Sequence, residues 1–140
     1  MNALAPQEVA SVTRTLPIRV GIVDDDVFLL RALHRLLRAR GLVVVAFDSG
    51  EAFLQALPTP AVDCLVLDIR LGALTGFDVH EALAWRGEAV PTIFITAHDD
   101  AATQARARDA GAVAYLRKPC DEDALFSAIQ SAVAPDRDPA

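Results

Sequence analysis

The stretch Val20-Gly21-Ile22-Val23-Asp24-Asp25-Asp26 is an apolar run that ends on three acidic residues. Three later apolar runs also end at or near a residue that can handle phosphate or a metal ion. They are residues 64–67 before Asp68, residues 93–95 before Thr96, and residues 112–116, which stop two residues before Lys118. In open parallel α/β sheets, ligands bind just beyond the carboxyl ends of the strands. These four strand ends therefore predict one site at one edge of one sheet.

Length and composition predict a single folded domain. The chain has 140 residues, of which 53% are hydrophobic and 23% charged, so it can bury a core and does not have a disordered composition. We expect residues 1–17 to form a flexible N-terminal tail and residues 18–134 to form the domain. Residues 135–140 are expected to be a C-terminal tail or a truncated linker.

Several features of the composition predict a cytoplasmic protein. No apolar run approaches the roughly 18 residues of a membrane span, and residues 1–17 lack the apolar segment of a secretory signal. Cys64 and Cys120 do not have metal-ligand spacing, and Cys64 lies inside an apolar run. We therefore expect no membrane partner. The net charge of −6 also argues against direct nucleic-acid binding by this domain.

Short β-type runs alternate with helical patterns along the chain. The predicted strands are residues 18–23, 42–47, 64–67, 92–96 and 112–116. The predicted N-caps are Asp26, Ser49 and Asp99. Negative charge is predicted at the start of the last helix, from Asp121, Glu122 and Asp123. The second helix is predicted to end before Pro58 and Pro60. Five strands, each followed by a helix, imply an α/β fold with a doubly wound parallel sheet.

The acidic residues at the predicted sheet edge require a cation. Three converging carboxylates repel one another and raise one another's pKa, and hard oxygen ligands favour Mg²⁺ or a similar ion such as Mn²⁺. A carboxylate beside such an ion can attack phosphorus, while an ammonium and a hydroxyl stabilise the phosphoryl oxygens. Asp24, Asp25, Asp68, Thr96 and Lys118 supply these groups. Lys118 is the only lysine among the 13 basic residues.

Each of these residues has an ordinary structural explanation when it is taken alone. The three aspartates are compatible with a charge cluster at a helix N-terminus, Thr96 with a strand residue, and Lys118 with a surface lysine. The agreement of four strand ends outweighs these explanations, because a chance coincidence at all four is improbable.

Four motifs resemble those of the receiver domains of two-component response regulators. They are Val23-Asp24-Asp25-Asp26, Leu67-Asp68, Ile95-Thr96-Ala97 and Lys118-Pro119, in the order and at the spacing of that family. The resemblance covers residues 18–134. It implies a flavodoxin-like (CheY-like) five-stranded sheet of order 2-1-3-4-5. It also implies a phosphorylation-controlled switch that receives its phosphoryl group from a sensor histidine kinase or a phosphotransfer protein.

The resemblance implies a role for each acidic residue. Asp68 is expected to be the phospho-acceptor. Asp25 and Asp68 are expected to bind Mg²⁺ directly, together with the backbone carbonyl of Arg70. Asp24 is expected to act mainly through metal-bound water. The domain is expected to catalyse its own phosphorylation and dephosphorylation while serving as a signalling module rather than a metabolic enzyme.

The resemblance also implies which residues contact the phosphoryl group, which respond to it and which set its lifetime. Lys118 is expected to pair with the phosphoryl group and Thr96 to hydrogen-bond it. Tyr115 matches the aromatic residue that turns inward when Thr96 moves. Arg70 and His98 occupy the positions that tune the lifetime of the phosphoryl group. A cis Lys118-Pro119 bond is also implied, because an X-Pro bond makes the cis form accessible.

Surface expectations follow from the same resemblance. The start of the first helix, around Val27 and Phe28, is expected to dock the kinase together with the loop after Pro119. The fourth helix, fifth strand and fifth helix are expected to form the output face and a possible homodimer interface. Many family members carry proline where this chain has Gly72, so we expect a more flexible loop there.

Two other classes of function fit parts of the pattern. One is a phosphatase or phosphotransferase that acts on a diffusible substrate through an aspartyl phosphate, although 140 residues leave little room for a substrate cap. The other is an unphosphorylated, receiver-like scaffold for protein interactions. The filled acid, hydroxyl and lysine positions argue against the scaffold.

Overall fold

The structure, a computed structural model, describes residues 17–56 and 61–134 and contains five strands and five helices. The strands are β1 (Arg19–Val23), β2 (Val43–Phe47), β3 (Cys64–Asp68), β4 (Thr92–Thr96) and β5 (Ala114–Arg117). The helices are α1 (Val27–Ala39), α2 (Gly50–Ala56), α3 (Gly76–Trp85), α4 (Ala101–Asp109) and α5 (Glu122–Val133). The strands pair in parallel in the order β2-β1-β3-β4-β5, which confirms the predicted fold and topology.

The sheet is covered on both faces by helices. One apolar cluster joins the sheet to Leu33 of α1 and Ile129 of α5, and the other joins it to Phe53 of α2 and Leu83 of α3. Every residue of β3 and β4 is buried, as the continuous apolar runs of strands covered on both sides predict. No helix within the described ranges is long and apolar enough to cross a bilayer.

Side-chain caps fix where the helices begin. The Asp26 carboxylate accepts hydrogen bonds from the N–H groups of Phe28 and Leu29, and the Ser49 hydroxyl accepts one from Ala52. Asp121 likewise caps α5. The predictions for Asp26 and Ser49 are confirmed.

The prediction that Asp99 caps the fourth helix is wrong. Asp100 is the N-cap, and its carboxylate accepts a hydrogen bond from the N–H of Thr103 at 2.7 Å. The carboxylate of Asp99 instead accepts hydrogen bonds from the side chains of Tyr115 and Gln104. Two adjacent aspartates offer the same local capping chemistry, so only the tertiary contacts of Asp99 decide between them.

Strand β5 begins two residues later than predicted. The N–H of Ala112 donates to the carbonyl of Ala107 at 3.1 Å and so closes the end of α4, and Gly111 adopts a φ of 83° there. Ala112 is therefore part of the helix exit rather than the strand. The expected end of the second helix before Pro58 and Pro60 and the expected tails at residues 1–16 and 135–140 lie outside the described residues.

The loop between β3 and α3 folds back onto the end of β3. The N–H of Gly76 donates to the carbonyl of Ile69 at 2.8 Å, and a Cβ at position 76 would collide with the backbone carbonyl oxygen of Asp68. The following turn is fixed by a capping box between Thr75 and Asp78. Glycine at position 76 thus lets the loop pack directly against the backbone of Asp68.

Gly72, in the middle of this loop, has a φ of 89°. No atom lies within 4 Å of a Cβ built there, so the demand for glycine comes from the backbone and not from crowding. Proline fixes φ near −65° and cannot adopt this conformation. The loop of this chain therefore follows a path that a proline at position 72 would not permit.

We predict that Gly72→Pro lowers the free energy of unfolding by more than about 1 kcal/mol, because the native φ is forbidden to proline. Gly72→Asn is the matched control, since asparagine tolerates positive φ better than other non-glycine residues. Urea denaturation of both variants measures the difference. Equal or greater stability of the proline variant would show that the loop does not need this conformation.

Candidate functional site

Three carboxylates meet at the carboxyl edge of the sheet. Asp24 and Asp25 follow β1, Asp68 ends β3, and β1 and β3 are neighbouring strands. One oxygen from each of these three side chains lies within 4.8 Å of the others. Asp24 is fully buried, Asp68 is 3% exposed, and Asp25 is exposed to solvent. The structure thus brings together the three acids that the sequence predicts.

Lys118 lies between two of these acids. Its Nζ is 2.7 Å from Oδ2 of Asp24 and 3.3 Å from Oδ2 of Asp68. The N–H of Lys118 donates to the carbonyl of Thr96 at 2.8 Å, which fixes the start of the loop after β5, and the Lys118-Pro119 bond is cis as expected. Both the ammonium group and the backbone of Lys118 are therefore held at the sheet edge.

Burial and charge change the acid–base properties of this pair. Burial raises the pKa of Asp68 to about 6, the negative charge of Asp24 adds to the rise, and Lys118 partly opposes it. Burial lowers the pKa of Lys118, but hydrogen bonding and charge from Asp24 and Asp68 outweigh burial, so this pKa is raised overall. Lys118 therefore stays charged at neutral pH, whereas Asp68 carries its charge at a cost in free energy.

The donor set fits a divalent cation. One ammonium balances only one of three carboxylates, which leaves an excess of negative charge at a largely buried edge. Oδ2 of Asp24 is buried, and the ammonium group of Lys118, 2.7 Å away, is the cation that the described residues supply to it. An all-oxygen site of this kind is typical of Mg²⁺ or Mn²⁺.

The hydroxyl of Thr96 is engaged with its own loop. Thr96 is fully buried at the end of β4, where its Oγ1 accepts the N–H of His98 at 3.0 Å and lies 3.3 Å from the carbonyl oxygen of His98. This hydroxyl would have to leave His98 in order to hydrogen-bond a group on Asp68.

Arg70 and His98 are exposed residues that lie two positions after Asp68 and Thr96. The N–H of Arg70 donates a long hydrogen bond, 3.3 Å, to Oδ1 of Asp68. The pKa of Asp100 is lowered mainly by hydrogen bonds from Thr103, and the charges of His98 and Arg70 lower it further. The charges of both side chains therefore act on Asp100, the N-cap of α4.

Tyr115 is hydrogen-bonded to Asp99, a contact that the sequence analysis missed. The phenol of Tyr115 donates to Oδ1 of Asp99 at 3.0 Å, and Gln104 of α4 donates to the same oxygen at 2.8 Å. Burial raises the pKa of Tyr115 to about 12, and the hydrogen bond to Asp99 contributes. No short-range sequence pattern indicates this contact, because 16 residues separate the two partners.

The predicted surface residues divide into two groups. Val27 and Phe28 are 44% and 82% exposed at the start of α1, as a docking surface would require. Arg106 of α4 does not simply face solvent, because its guanidinium lies 4.4 Å from the ring centroid of Phe77. Arg117 of β5 is exposed and lies 3.7 Å from Oδ2 of Asp99.

Comparison with known proteins assigns this geometry to a family. Residues 20–130, which include every acid of the site together with Thr96 and Lys118, match the family described as the response regulator receiver domain. The chain belongs to this family. Receiver domains act as phosphoryl acceptors in two-component signalling and bind Mg²⁺ at an acidic pocket, and the cluster of Asp24, Asp25 and Asp68 fits both properties.

Relatives of this receiver domain are response regulators. It is 43% identical over 112 residues to the response regulator protein TmoT of Ectopseudomonas mendocina, covering 80% of this chain and 51% of the relative. It is 42% identical over 118 residues to nodulation protein W of Bradyrhizobium diazoefficiens, covering 84% of this chain and 52% of the relative. The chain therefore spans about half the length of these curated relatives.

Solved receiver structures share the fold. A response regulator receiver protein from Burkholderia phymatum superimposes with a TM-score of 0.74 at 40% identity, covering 85% of this chain and 97% of that protein. The response regulator StyR superimposes with a TM-score of 0.77 at 37% identity, covering 84% of this chain and 60% of that protein.

We predict that Asp68→Asn stabilises the metal-free receiver domain at pH 7.5 by on the order of 2 kcal/mol, because it removes a charge whose pKa is raised from 3.8 to about 6 on folding. The folded chain holds the Asp68 proton more tightly than the unfolded chain does. The free energy of unfolding of the wild type should therefore fall as pH rises from about 4 to about 6, and this contribution is absent in the variant.

Urea denaturation in EDTA at several pH values measures this difference. Asp48→Asn, at an exposed carboxylate, is the matched control and should stay within about 0.5 kcal/mol of the wild type. Added Mg²⁺ should stabilise the wild type and so reduce the advantage of the Asp68 variant. A variant less stable than the wild type at pH 7.5 would mean that Lys118 outweighs burial and Asp24.

Proposed function

We propose that this receiver domain accepts a phosphoryl group on Asp68 from a sensor histidine kinase or a phosphotransfer protein and acts as a conformational switch. The contact between Asp68 Oδ2 and Lys118 Nζ, 3.3 Å apart beside two further carboxylates, carries the proposal. The proposed nucleophile, its neighbouring cation and the proposed metal ligands lie together at one edge of the sheet. The family assignment supports the same role.

The acids would hold the metal in distinct ways. Asp25 and Asp68, with the backbone carbonyl of Arg70, would bind Mg²⁺ or Mn²⁺ directly, and Asp24 would act mainly through metal-bound water. When bound, the metal supplies positive charge that offsets the carboxylates and the oxygens of the incoming phosphoryl group. The raised pKa of Asp68 supports this proposal, because burial and the negative charge of Asp24 together outweigh the effect of Lys118 and leave room for a second cation.

The residues of the chain then carry out the transfer. A carboxylate oxygen of Asp68 attacks phosphorus, the bond between phosphorus and the donor nitrogen breaks, and its electron pair leaves with the donor imidazole. Lys118 turns from Asp24 and Asp68 toward the phosphoryl oxygens, and Thr96 donates its hydroxyl hydrogen to the same group. The signal ends when water attacks the same phosphorus. The bond between phosphorus and the Asp68 oxygen then breaks, its electron pair restores the carboxylate, and inorganic phosphate leaves as a proton passes from the water to solvent. In this proposal the domain catalyses its own phosphorylation and dephosphorylation.

The output is proposed to travel through the loop after β4. Recruitment of the Thr96 hydroxyl breaks its contact with His98, and Tyr115 turns inward as the loop moves. The conformational equilibrium of the α4–β5–α5 face then shifts toward the active form, in which this face can form a homodimer. Exposed Val27 and Phe28 form part of the kinase-docking surface. With a net charge of −6, the domain itself is proposed not to bind nucleic acid.

We predict that acetyl phosphate with Mg²⁺ adds one phosphoryl group to the wild type and none to Asp68→Asn, because the amide lacks the nucleophilic oxygen. Intact-mass spectrometry measures the addition, and EDTA should prevent it. Asp48→Asn controls for loss of an acid elsewhere and should be labelled like the wild type. Labelling of the Asp68 variant would place the acceptor at another residue.

Other outcomes of this experiment identify the competing functions. No labelling of any variant with Mg²⁺ or Mn²⁺ would contradict the proposal and favour an unphosphorylated interaction scaffold. Continuous release of phosphate without a mass increase would favour an enzyme that acts on a diffusible substrate.

We also predict that Arg70→Ala and His98→Ala change the rate of dephosphorylation by at least about threefold, which corresponds to a change of at least about 0.6 kcal/mol in the barrier. Both are exposed residues two positions after Asp68 and Thr96, and we propose that their side chains screen the water that attacks the phosphoryl group. Arg38→Ala, at an exposed arginine of α1, is the control. Decay of the phosphorylated mass over time gives the rates, and unchanged decay in both variants would remove these residues from the mechanism.

A further inference from the structure

Asp99 connects three elements outside the acidic cluster. It lies in the loop between β4 and α4, and its Oδ1 accepts hydrogen bonds from the phenol of Tyr115 on β5 and from the side-chain amide of Gln104 on α4. Its Oδ2 lies 3.7 Å from a guanidinium nitrogen of Arg117 on β5. The Asp99 side chain is 20% exposed, so these contacts are only partly screened by water.

The inner end of the same loop is held by Thr96. The Thr96 hydroxyl accepts the N–H of His98, the residue directly before Asp99. Only Ala97 and His98 separate Thr96 from Asp99, and a segment this short cannot absorb a displacement at one end without moving the other. The loop therefore joins the buried hydroxyl at the site to the Tyr115 phenol at the surface.

We propose that Asp99 is a positioning residue that latches Tyr115 and α4 to this loop in the unmodified chain. Movement of Thr96 toward a phosphoryl group on Asp68 displaces Asp99 and releases the Tyr115 phenol. This inference rests on the proposed function. Asp99 would set how strongly the Tyr115 ring is held before phosphorylation.

The other partners of Asp99 make the contact reversible. A buried carboxylate left without partners would be costly, and that cost would prevent release. Gln104 and Arg117 keep Asp99 partnered when the phenol departs. A hydrogen bond to a carboxylate is stronger than one between neutral groups, so the closed arrangement is favoured until the phosphoryl group competes for Thr96.

The chain contains one tyrosine, so ring-labelled ¹³C-tyrosine gives NMR signals from Tyr115 alone. The experiment compares the wild type, Asp99→Ala, Asp99→Asn and Gln104→Ala, each with Mg²⁺ and with or without beryllium fluoride as the phosphoryl analogue. In Asp99→Ala, the ligand-free signals should move toward the position of the beryllium fluoride-bound wild type. Affinity for the analogue should rise by about fivefold, because the competing arrangement has lost its latch.

Two variants separate positioning from general damage to the fold. Asp99→Asn keeps an oxygen that accepts the phenol hydrogen, so its ring signals should return toward those of the wild type. Gln104→Ala removes the neighbouring donor but leaves the phenol contact, so its ring signals should stay close to the wild-type position. In a double-mutant cycle, Tyr115→Phe should abolish most of the effect of Asp99→Ala on analogue affinity.

Unchanged ring signals in ligand-free Asp99→Ala would overturn the proposal, and so would additive effects in the cycle. A wild type that does not bind beryllium fluoride would instead contradict the proposed function. In that case the ligand-free signals of the variants still decide whether Asp99 holds the ring. If Asp99→Ala does not fold, Tyr115→Phe decides, because it removes the phenol that Asp99 holds. Its affinity for beryllium fluoride should then rise, and an unchanged affinity would overturn the proposal.

Discussion

The ion pair between Lys118 and the two buried aspartates is the interaction on which the rest of the site depends. Parallel strands must bring their carboxyl ends to one edge, so a chain with acids after β1 and at the end of β3 concentrates negative charge there. Lys118 reduces that charge without cancelling it, and burial together with the charge of Asp24 still raises the pKa of Asp68. A fold that left this edge neutral would have no electrostatic reason to take up a cation and then a phosphoryl group. Burial of the apolar clusters on both faces of the sheet stabilises the fold and so offsets the free-energy cost of the excess charge.

The loops after β3 and β4 are held in place by different kinds of contact. The loop after β3 is fixed by close packing, because Gly76 lies directly against the backbone of Asp68 and the capping box holds the turn that follows. The loop after β4 is held by exchangeable hydrogen bonds, from the N–H of His98 to the Thr96 hydroxyl and from the Tyr115 phenol to Asp99. The proposed phospho-acceptor, Asp68, is thus held by close packing, whereas the segment proposed to report its modification is held by hydrogen bonds that can be exchanged. This division suits a switch better than an enzyme that must hold every group still.

Most of the fold and the site could be predicted because both depend on periodic patterns. Continuous apolar runs identify buried parallel strands, and topology then determines that Asp24, Asp68 and Lys118 meet, whatever the details of the helices. The features that could not be predicted depend on tertiary contacts between residues distant in sequence. Asp99 and Asp100 are equivalent as caps until Tyr115 and Gln104 engage one of them. Glycine at position 72 suggests a flexible loop, whereas its positive φ shows a specific backbone path.

The position of Lys118 has a consequence for any chemistry directed at amines. It is the only lysine in the chain, so the one side-chain amine that an acylating reagent can reach is the cation that balances Asp24 and Asp68. Wherever such a reagent acylates this side chain, it removes the positive charge of the site instead of modifying an uninvolved residue. Attachment through an engineered surface cysteine avoids this. Conversely, the rate at which Lys118 is acylated offers a direct measure of how firmly the two carboxylates hold it.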